Sequence, residues 1–289
     1  MLTSDQALSD FIRQTIRRTG PVPFDWFMEQ ALYHPEFGYY SSGQCEIGRR
    51  GDYFTNVSVG PLFGRMLAAQ FAEMWEVLGR PADFTIVEQG AHQGDFAKDV
   101  LTAMRDFPAE LRYCIIEPFP ILQARQEETL SGFAEKISWR ISVSDLEPFS
   151  GVHFSNELID SMPVHLIRRE GEEDWKERLV DLSGDGFAFV TQRIADEKLR
   201  RHVEKLPRPG AEHYETEVNL AALDWIESVG RKLARGFVLA VDYGFPRVEF
   251  YAAERTTGTL QCRANHRAVS SPLVEIGRAS CRERVLACV

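Results

Sequence analysis

Two glutamates end two consecutive apolar runs, at positions where a parallel sheet presents groups to a ligand. Glu88 follows the apolar run at 84–87, and Glu117 ends the run at 113–117. Both runs have the length and the partly β-branched composition of strands. Because the ends of parallel strands lie at one edge of a sheet, the two carboxylates are predicted to lie at one ligand site. Such carboxylates can accept an ammonium group or the two hydroxyls of a ribose.

A glycine turn separates Glu88 from the next helical pattern. Gly90 and Gly94 precede the helix predicted from Asp95, and glycine lets the backbone approach a ligand closely at positive φ. In a dinucleotide-binding turn, the glycines come first and the acid follows roughly 20 residues later. Here the acid precedes the turn, where it would repel a pyrophosphate and attract the ammonium of an amino acid. The turn alone is equally compatible with a helix cap at Glu88, but Glu117 on the next strand favours the S-adenosylmethionine (SAM) site of a class I methyltransferase.

Strand and helix patterns alternate from the middle of the chain onward. Alternation of this kind predicts a parallel sheet with its ligand at the carboxyl ends of the strands. The predicted fold class is α/β: a Rossmann-like class I methyltransferase sheet with helices on both faces, an N-terminal helical region and a β-hairpin insertion. The strand patterns lie at 84–88, 113–117, 137–142, 152–157 and 237–244, and the helical patterns of this part at 95–104, 120–130 and 217–234.

The same patterns divide the chain into segments. Residues 1–80 are predicted to form an N-terminal helical and substrate-loop region, and residues 81–165 and 211–268 the SAM-binding core. Residues 166–210 carry two strand-like runs around a Gly-Asp-Gly turn, which predicts a β-hairpin insertion. Residues 273–289 lose the apolar pattern and resemble translated vector sequence, so we expect a non-native tail outside the fold.

Three polar residues lie at the end of the fourth strand pattern of the sheet or just after it, close to where a bound methyl donor would present its methyl group. Asn156, Glu157 and Asp160 are therefore the candidate catalytic residues. An arginine acceptor would need carboxylates to orient its guanidinium group, with which they pair in a bidentate geometry. Asp160 is equally compatible with a turn cap. Asp145, beyond the third strand, is a candidate for contact with adenine and equally for a helix cap.

Composition excludes several classes of protein. The chain has 289 residues with 44% apolar content, enough for one large domain or two small ones. Its formal net charge of -10 argues against nonspecific binding to nucleic acid, which needs a basic surface. No apolar run reaches the roughly 18 residues of a membrane span, and the N-terminus lacks an apolar signal core. The 5 cysteines show neither metal-ligand spacing nor a disulfide framework, so we predict no metal site and a cytoplasmic location.

Six longer motifs occur one after another between residues 20 and 268. They are FMEQALYHPEFGYY at 27–40, GDYFT at 51–55, GPLFG at 60–64, NELIDSMPVH at 156–165, VDYG at 241–244 and GTLQC at 258–262. In these motifs the chain resembles the MidA-like family of class I SAM-dependent methyltransferases, which includes a mitochondrial complex I assembly methyltransferase. One departure is the glycine turn. Ala91 and His92 replace the Pro-Gly of the family's Glu-x-Gly-Pro-Gly-x-Gly, whereas Glu88, Gly90 and Gly94 remain.

The resemblance implies SAM as the cofactor and an arginine of a protein as the acceptor, with a respiratory-chain subunit as the candidate partner. It adds Gly51 and Asp52 to the cofactor-binding candidates, which also include Glu88, Gly90, Gly94, Glu117 and Asp145. It further implies a cytoplasmic location for a bacterial-type chain and a mitochondrial one for eukaryotic relatives. The residues leave the oligomeric state open.

Two other functions stay open at the level of sequence. One is an NAD-dependent oxidoreductase, which the missing third glycine and the acid at the strand tip disfavour. The other is a non-catalytic, methyltransferase-like assembly factor that binds a partner through the hairpin insertion. His165 is either a catalytic base or an ordinary residue of the strand that leaves the turn after Asp160.

Overall fold

A computed structural model of the protein describes residues 4–43, 57, 60–264, 267–269, 271–274 and 280–282. Its helices are α1 (Ser4–Thr19), α2 (Phe24–Tyr33), α3 (Leu62–Val77), α4 (Asp95–Ala103), α5 (Pro120–Thr129), α6 (Glu197–Val203), α7 (Leu220–Lys232) and α8 (Arg247–Phe250). Its strands are β1 (Val22–Pro23), β2 (Asp83–Gln89), β3 (Glu110–Ile116), β4 (Ile137–Arg140), β5 (Phe149–Asn156), β6 (His165–Glu170), β7 (Lys176–Ser183), β8 (Gly186–Arg193), β9 (His213–Val218), β10 (Leu233–Val241), β11 (Gln261–Ala264), β12 (Arg267–Val269) and β13 (Ser280–Arg282).

The chain forms two compact units. One, here called the parallel unit, comprises Glu46–Leu158 and Asp224–Asp242. The other, called the antiparallel unit, comprises Met1–Cys45, Ile159–Leu223 and Tyr243–Val289. The segments predicted from the sequence have other boundaries, and that division of the chain stays a prediction.

The parallel unit is built on a five-stranded sheet in the order β10-β5-β2-β3-β4. Each neighbouring pair of strands in it is parallel. Numbered along the chain, these strands lie in the doubly wound order 3-2-1-4-5, in which the direction of winding reverses between β2 and β5. The predicted α/β sheet is therefore confirmed. Sheets of this kind bind ligands at the carboxyl ends of the two strands that flank the reversal.

Side chains alternate between the two faces of this sheet, and helices cover both. On one face, Phe84 and Ile86 of β2 pack in an apolar core with Phe71 of α3 and Phe96 of α4. Aromatic rings link these layers, since the Phe96 and Phe154 rings stack with centroids 4.4 Å apart. On the other face, Trp225 of α7 meets His153 of β5 edge-on, with ring centroids 5.5 Å apart. Helices on both faces, as predicted, leave the strand ends as the accessible part of the sheet.

The antiparallel unit contains a sheet in the order β1-β7-β6-β9, with β8 paired to β7. The predicted hairpin is confirmed as β7 and β8, whose last register pair joins Ser183 to Gly186 across a two-residue turn. Aromatic residues of α2 cover the hairpin. Phe27 lies 5.8 Å from Phe187 between ring centroids, and Phe24 lies 5.7 Å from Phe189.

The strand that leaves the turn after Asp160, the alternative predicted for His165, is present as β6, whereas β9 was not predicted, and the helix predicted from residue 217 begins later than expected. Glu217 lies in β9, and α7 begins only at Leu220 because Asn219 caps it, accepting the Ala222 N–H at 2.8 Å. β6 carries several charged side chains. Two of them, Arg168 and Glu170, lie on the same face of the strand and form an ion pair that keeps both charges compatible with a sheet.

A smaller sheet, β12-β11-β13, completes the antiparallel unit. β13 pairs with β11, so the backbone of 280–282 takes part in this sheet although it falls in the predicted tail. A foreign origin of 273–289 stays a prediction. Cys262 of β11 is disulfide-bonded, although the spacing of the cysteines indicated no disulfide framework. None of the described helices is both long and apolar enough to cross a membrane.

Candidate active site

Glu88 lies near the carboxyl end of β2, beside the reversal of the sheet. It is on the same face as Phe84 and Ile86 and is only 3% exposed. The hydroxyl of Tyr113, on the neighbouring strand β3, donates to Glu88 Oε2 at 2.7 Å. Burial raises the pKa of Glu88 to about 7, and the Tyr113 hydrogen bond opposes part of that rise. A cation placed beside this carboxyl would favour its charged form.

The turn after β2 takes left-handed backbone conformations at three positions. Gly90 has φ +83°, His92 has φ +48° and Gly94 has φ +85°. A Cβ on Gly94 would lie 3.1 Å from the Leu130 side chain, tighter than ordinary contact, whereas a Cβ on Gly90 would meet Leu158 at 3.5 Å. Gly90 is therefore required for its φ, and Gly94 for both its φ and its space. A non-glycine residue such as His92 in this region carries strain of about 1 kcal/mol or more, which is typical of functional sites.

Glu117 immediately follows β3 and is buried. Its Oε1 accepts the Phe119 N–H at 3.0 Å, and its Oε2 accepts the side-chain amide of Gln126 at 2.8 Å. Burial raises the pKa of Glu117 to about 7, while these two donors oppose the rise. The predicted pairing of strand-tip acids is thus present as two carboxylates that titrate near neutral pH, on neighbouring strands of one sheet.

Gln126 of α5 is a site residue that the sequence analysis missed. It is fully buried, and its amide nitrogen also donates to the backbone oxygen of His92 at 2.9 Å. Its Oε1 accepts the indole N–H of Trp139 at 3.0 Å. One signal was available, because Leu122, Gln126 and Leu130 are spaced four apart and share the buried stripe of the helix.

Asn156 and Glu157 occupy the end of β5, on the other side of the reversal. Asn156 is the last residue of the strand and pairs with Val241 of β10. Glu157 is buried, has φ +52°, and donates its N–H to the Val241 oxygen at 2.8 Å. Among the residues that the structure describes, the non-glycine residues with positive φ are Arg80, His92 and Glu157. The latter two follow the strands at the reversal, so backbone strain is concentrated where the fold places its ligand site.

The remaining predicted site residues lie elsewhere in the chain. Asp160 belongs to the antiparallel unit, where it is buried in a short 3-10 turn, Ile159–Ser161. Asp145 is exposed and caps a 3-10 turn, since its Oδ2 accepts the Ser142 N–H and hydroxyl at 2.9 Å each. The cap predicted as the alternative at Asp145 is therefore confirmed, and its contact with adenine stays a prediction. Gly51 and Asp52 lie outside the described residues.

His165 is the first residue of β6, as the strand alternative predicted, and lies between two carboxylates. Its Nδ1 is 2.9 Å from Glu177 Oε1 of β7, and its Nε2 is 3.2 Å from Asp25 Oδ2 of α2. Burial lowers the pKa of His165, but the Glu177 hydrogen bond and the charges of Asp25 and Glu177 outweigh it and raise the pKa overall. Carboxylates at both ring nitrogens favour the imidazolium form, which donates from both. In that form His165 ties α2 to the sheet and is unsuited to act as a base.

The two carboxylates at the ends of β2 and β3, with the turn between them, can bind a ligand that carries both a cation and a pair of hydroxyls. Glu88 offers a carboxylate to the cation, Glu117 offers one to the hydroxyls, and the left-handed turn between them brings backbone close to both. A pyrophosphate at the turn would instead meet the Glu88 carboxylate, whereas Glu117 suits the ribose of either cofactor. Together the two acceptors fit the amino-acid and ribose parts of SAM better than a nicotinamide dinucleotide.

Comparison with known proteins points the same way. Residues 66–280 match a protein family described as "Putative S-adenosyl-L-methionine-dependent methyltransferase". A crystal structure of a Burkholderia thailandensis protein bound to S-adenosyl-homocysteine superposes with a TM-score of 0.87 at 34% identity, covering 98% of this chain and 74% of that one.

Curated relatives carry the name mitochondrial protein arginine methyltransferase NDUFAF7 or its homolog. The protein from Drosophila melanogaster is 26% identical over 94% of this chain and 66% of its own length. The protein from Xenopus tropicalis is 24% identical over 93% of this chain and 67% of its own length. The chain thus spans about two thirds of the length of these relatives.

The family match covers most of the chain, and the fold, the order of the strands and the acids at their tips agree with it. The nicotinamide-dependent alternative is therefore set aside. The chain belongs to the MidA-like family of SAM-dependent methyltransferases.

Proposed function

We propose that this protein transfers a methyl group from SAM to an arginine side chain of a protein substrate. The observation that carries the proposal is the pair of buried carboxylates, Glu88 and Glu117, on neighbouring strands beside the left-handed turn. The names of the curated relatives support arginine as the acceptor, at about a quarter sequence identity.

In this proposal Glu88 binds the ammonium of SAM, and Glu117 binds its ribose hydroxyls. Tyr113 holds Glu88 Oε2, which fixes the plane of the carboxylate before the ligand arrives. The Phe119 N–H and the Gln126 amide do the same for Glu117. SAM supplies an electrophilic methyl group on a sulfonium, so the protein needs to supply position and electrostatics rather than a covalent nucleophile.

Glu157 is the proposed acceptor-binding carboxylate, with Asn156 beside it and Asp160 as the further candidate. A guanidinium group carries its charge over three nitrogens, and a bidentate carboxylate would both bind it and aim one nitrogen at the methyl group. The strained backbone of Glu157, held by the Val241 oxygen, fixes the direction in which its side chain leaves β5. The proposed cofactor role of Asp145, Gly51 and Asp52 depends on the family resemblance.

The proposed partner is a protein substrate, and the family resemblance makes a respiratory-chain subunit the first candidate. A bacterial-type chain of this family would meet such a subunit in the cytoplasm. The non-catalytic assembly factor remains the second candidate, since the hairpin β7–β8 would serve a partner in either case.

The proposal is tested by methyl transfer. Purified protein is incubated with methyl-labelled SAM and extract from cells that lack its gene, and labelled proteins are analysed by mass spectrometry. We expect methylarginine on a small number of proteins, and no label with a Glu88→Ala variant. Label on lysine or another residue would refute the arginine acceptor. SAM binding without transfer to any extract protein would favour the assembly factor.

A further inference from the structure

Gln126 joins two parts of the strand-tip site that are separate in sequence. One hydrogen of its amide goes to Glu117 Oε2 at 2.8 Å, and the other goes to the His92 backbone oxygen at 2.9 Å. Glu117 follows β3, whereas His92 lies in the turn after β2, so one side chain spans both. Both hydrogens and the amide oxygen are engaged, which leaves this fully buried residue satisfied.

Trp139 fixes which way round the Gln126 amide lies. An indole N–H can only donate, so the atom that it meets at 3.0 Å must be the amide oxygen. The NH₂ group is therefore directed at Glu117 and the turn, which are both acceptors. A flipped amide would oppose its oxygen to a carboxylate and to a carbonyl and would leave the Trp139 N–H facing a donor, so the three contacts enforce one orientation.

Gln126 donates hydrogen bonds to a residue with a strained backbone, His92, and to a buried carboxyl group, that of Glu117. His92 holds a left-handed conformation at φ +48°, and its carbonyl is fixed by the Gln126 amide. Close packing of α5 on the turn adds to this, since a Cβ on Gly94 would lie 3.5 Å from Gln126 Cα. At Glu117, the amide is one of two donors that offset the burial of the carboxylate, and it holds the carboxyl group in one plane.

We propose that Gln126 is a positioning residue that couples the glycine turn to Glu117, so that the amino-acid and ribose parts of SAM are bound as one unit. This inference rests on the proposed function. It assigns to α5 a part in cofactor binding that no predicted site residue has. Removing the amide releases the turn and reorients Glu117, without removing any group that touches the cofactor.

The test replaces Gln126 with methionine, which is similar in length and favourable in a helix. Gln123→Met is the matched control, because Gln123 is a partly exposed glutamine of the same helix, and its side-chain amide donates to Glu127 on that helix. S-adenosyl-homocysteine binding is measured by titration calorimetry across pH. We expect Gln126→Met to weaken binding about 10- to 100-fold, as for a lost charge-assisted hydrogen bond, and the control to bind as the wild type.

The pH profile separates positioning from loss of stability. Without the amide, Glu117 ionises less readily, so the midpoint of pH-dependent binding should move to higher pH in Gln126→Met and stay in place in Gln123→Met. A melting temperature that falls while affinity and midpoint stay unchanged would overturn the inference. Wild-type protein that fails to bind S-adenosyl-homocysteine would instead refute the proposed function, which keeps the two failures distinct.

A second variant, Trp139→Phe, keeps Gln126 and Glu117 and removes only the donor that orients the amide. It covers the case in which Gln126→Met does not fold. We expect weaker binding and a midpoint shifted in the same direction, by less than in Gln126→Met, because a free amide spends part of its time flipped. Wild-type affinity and midpoint in a folded Trp139→Phe variant would overturn the inference.

Discussion

SAM binding should depend steeply on pH, because two buried carboxyls must lose their protons to receive the ligand. The pKa values of Glu88 and Glu117 are each raised to about 7, in both cases by burial. If the complex requires the ionised form, affinity rises as the pH increases through that value. At pH 5.5 only about 1 carboxyl in 30 is ionised, and at pH 7 about half are.

The size of the effect follows from these fractions. Between about pH 5.5 and pH 7, each carboxyl contributes a change in affinity of about 16-fold, and two independent carboxyls about 250-fold. The α-amino group of the ligand keeps its proton in this window, since such groups titrate near pH 8. Titration calorimetry at several pH values measures the profile directly.

Single substitutions show how much of the pH dependence of SAM affinity comes from each of the two acids. Glu117→Gln should bind more weakly at pH 7 and retain only about 16-fold of the pH dependence, because one titrating group remains. Glu128→Gln, an exposed change on α5, should leave the full profile in place. A flat profile in the wild type would refute the reasoning. It would mean that the carboxyls are not proton-linked to binding at all.

Three further predictions concern other parts of the chain. Glu157→Gln should reduce turnover on the order of 10²-fold while SAM affinity stays within about twofold, since acceptor placement alone is disturbed; full activity in a stable variant would remove Glu157 from the mechanism. Burial lowers the pKa of His153 to about 4, so between about pH 6.5 and pH 4 the unfolded state takes up a proton that the folded state does not, and the free energy of unfolding falls; by pH 4.5 the wild type should lose about 2 to 3 kcal/mol of unfolding free energy relative to His153→Leu in urea titrations, and equal losses would contradict this. Limited proteolysis that removes residues 273–289 should lower the melting temperature only slightly, because β13 adds three residues at the edge of a small sheet, and a tail that resists cleavage would show that its sequence was misinterpreted.

The parallel sheet could be predicted because local sequence carries its signals. Each central strand is an apolar run that ends at a polar residue, and each following helix begins near a glycine or a proline, as at Gly94 and Pro120. The acids at the strand tips could be located in the same way. These features depend on neighbours in sequence, which periodicity and turn chemistry detect.

Features that depend on long-range contacts were missed. β9 contains charged residues that lie in a sheet only because partners on other strands pair with them, as Arg178 of β7 does with Glu215. A helix was predicted to begin at Glu217, but this residue lies in β9. Its buried carboxylate accepts the Thr259 and Leu260 N–H groups, 42 and 43 residues away. The role of Gln126 likewise depends on His92 and Glu117, which no local pattern connects to it.

The measurement that tests the account most directly is S-adenosyl-homocysteine binding by wild type, Glu88→Ala and Glu117→Ala, with NAD as the comparison ligand. We expect the wild type to bind S-adenosyl-homocysteine and not NAD. Each variant should lose about 1.5 to 3 kcal/mol of binding free energy, as for a charge-assisted hydrogen bond, while keeping its fold by circular dichroism. Wild-type affinity in both folded variants would contradict the assignment of the strand-tip carboxylates as the cofactor site.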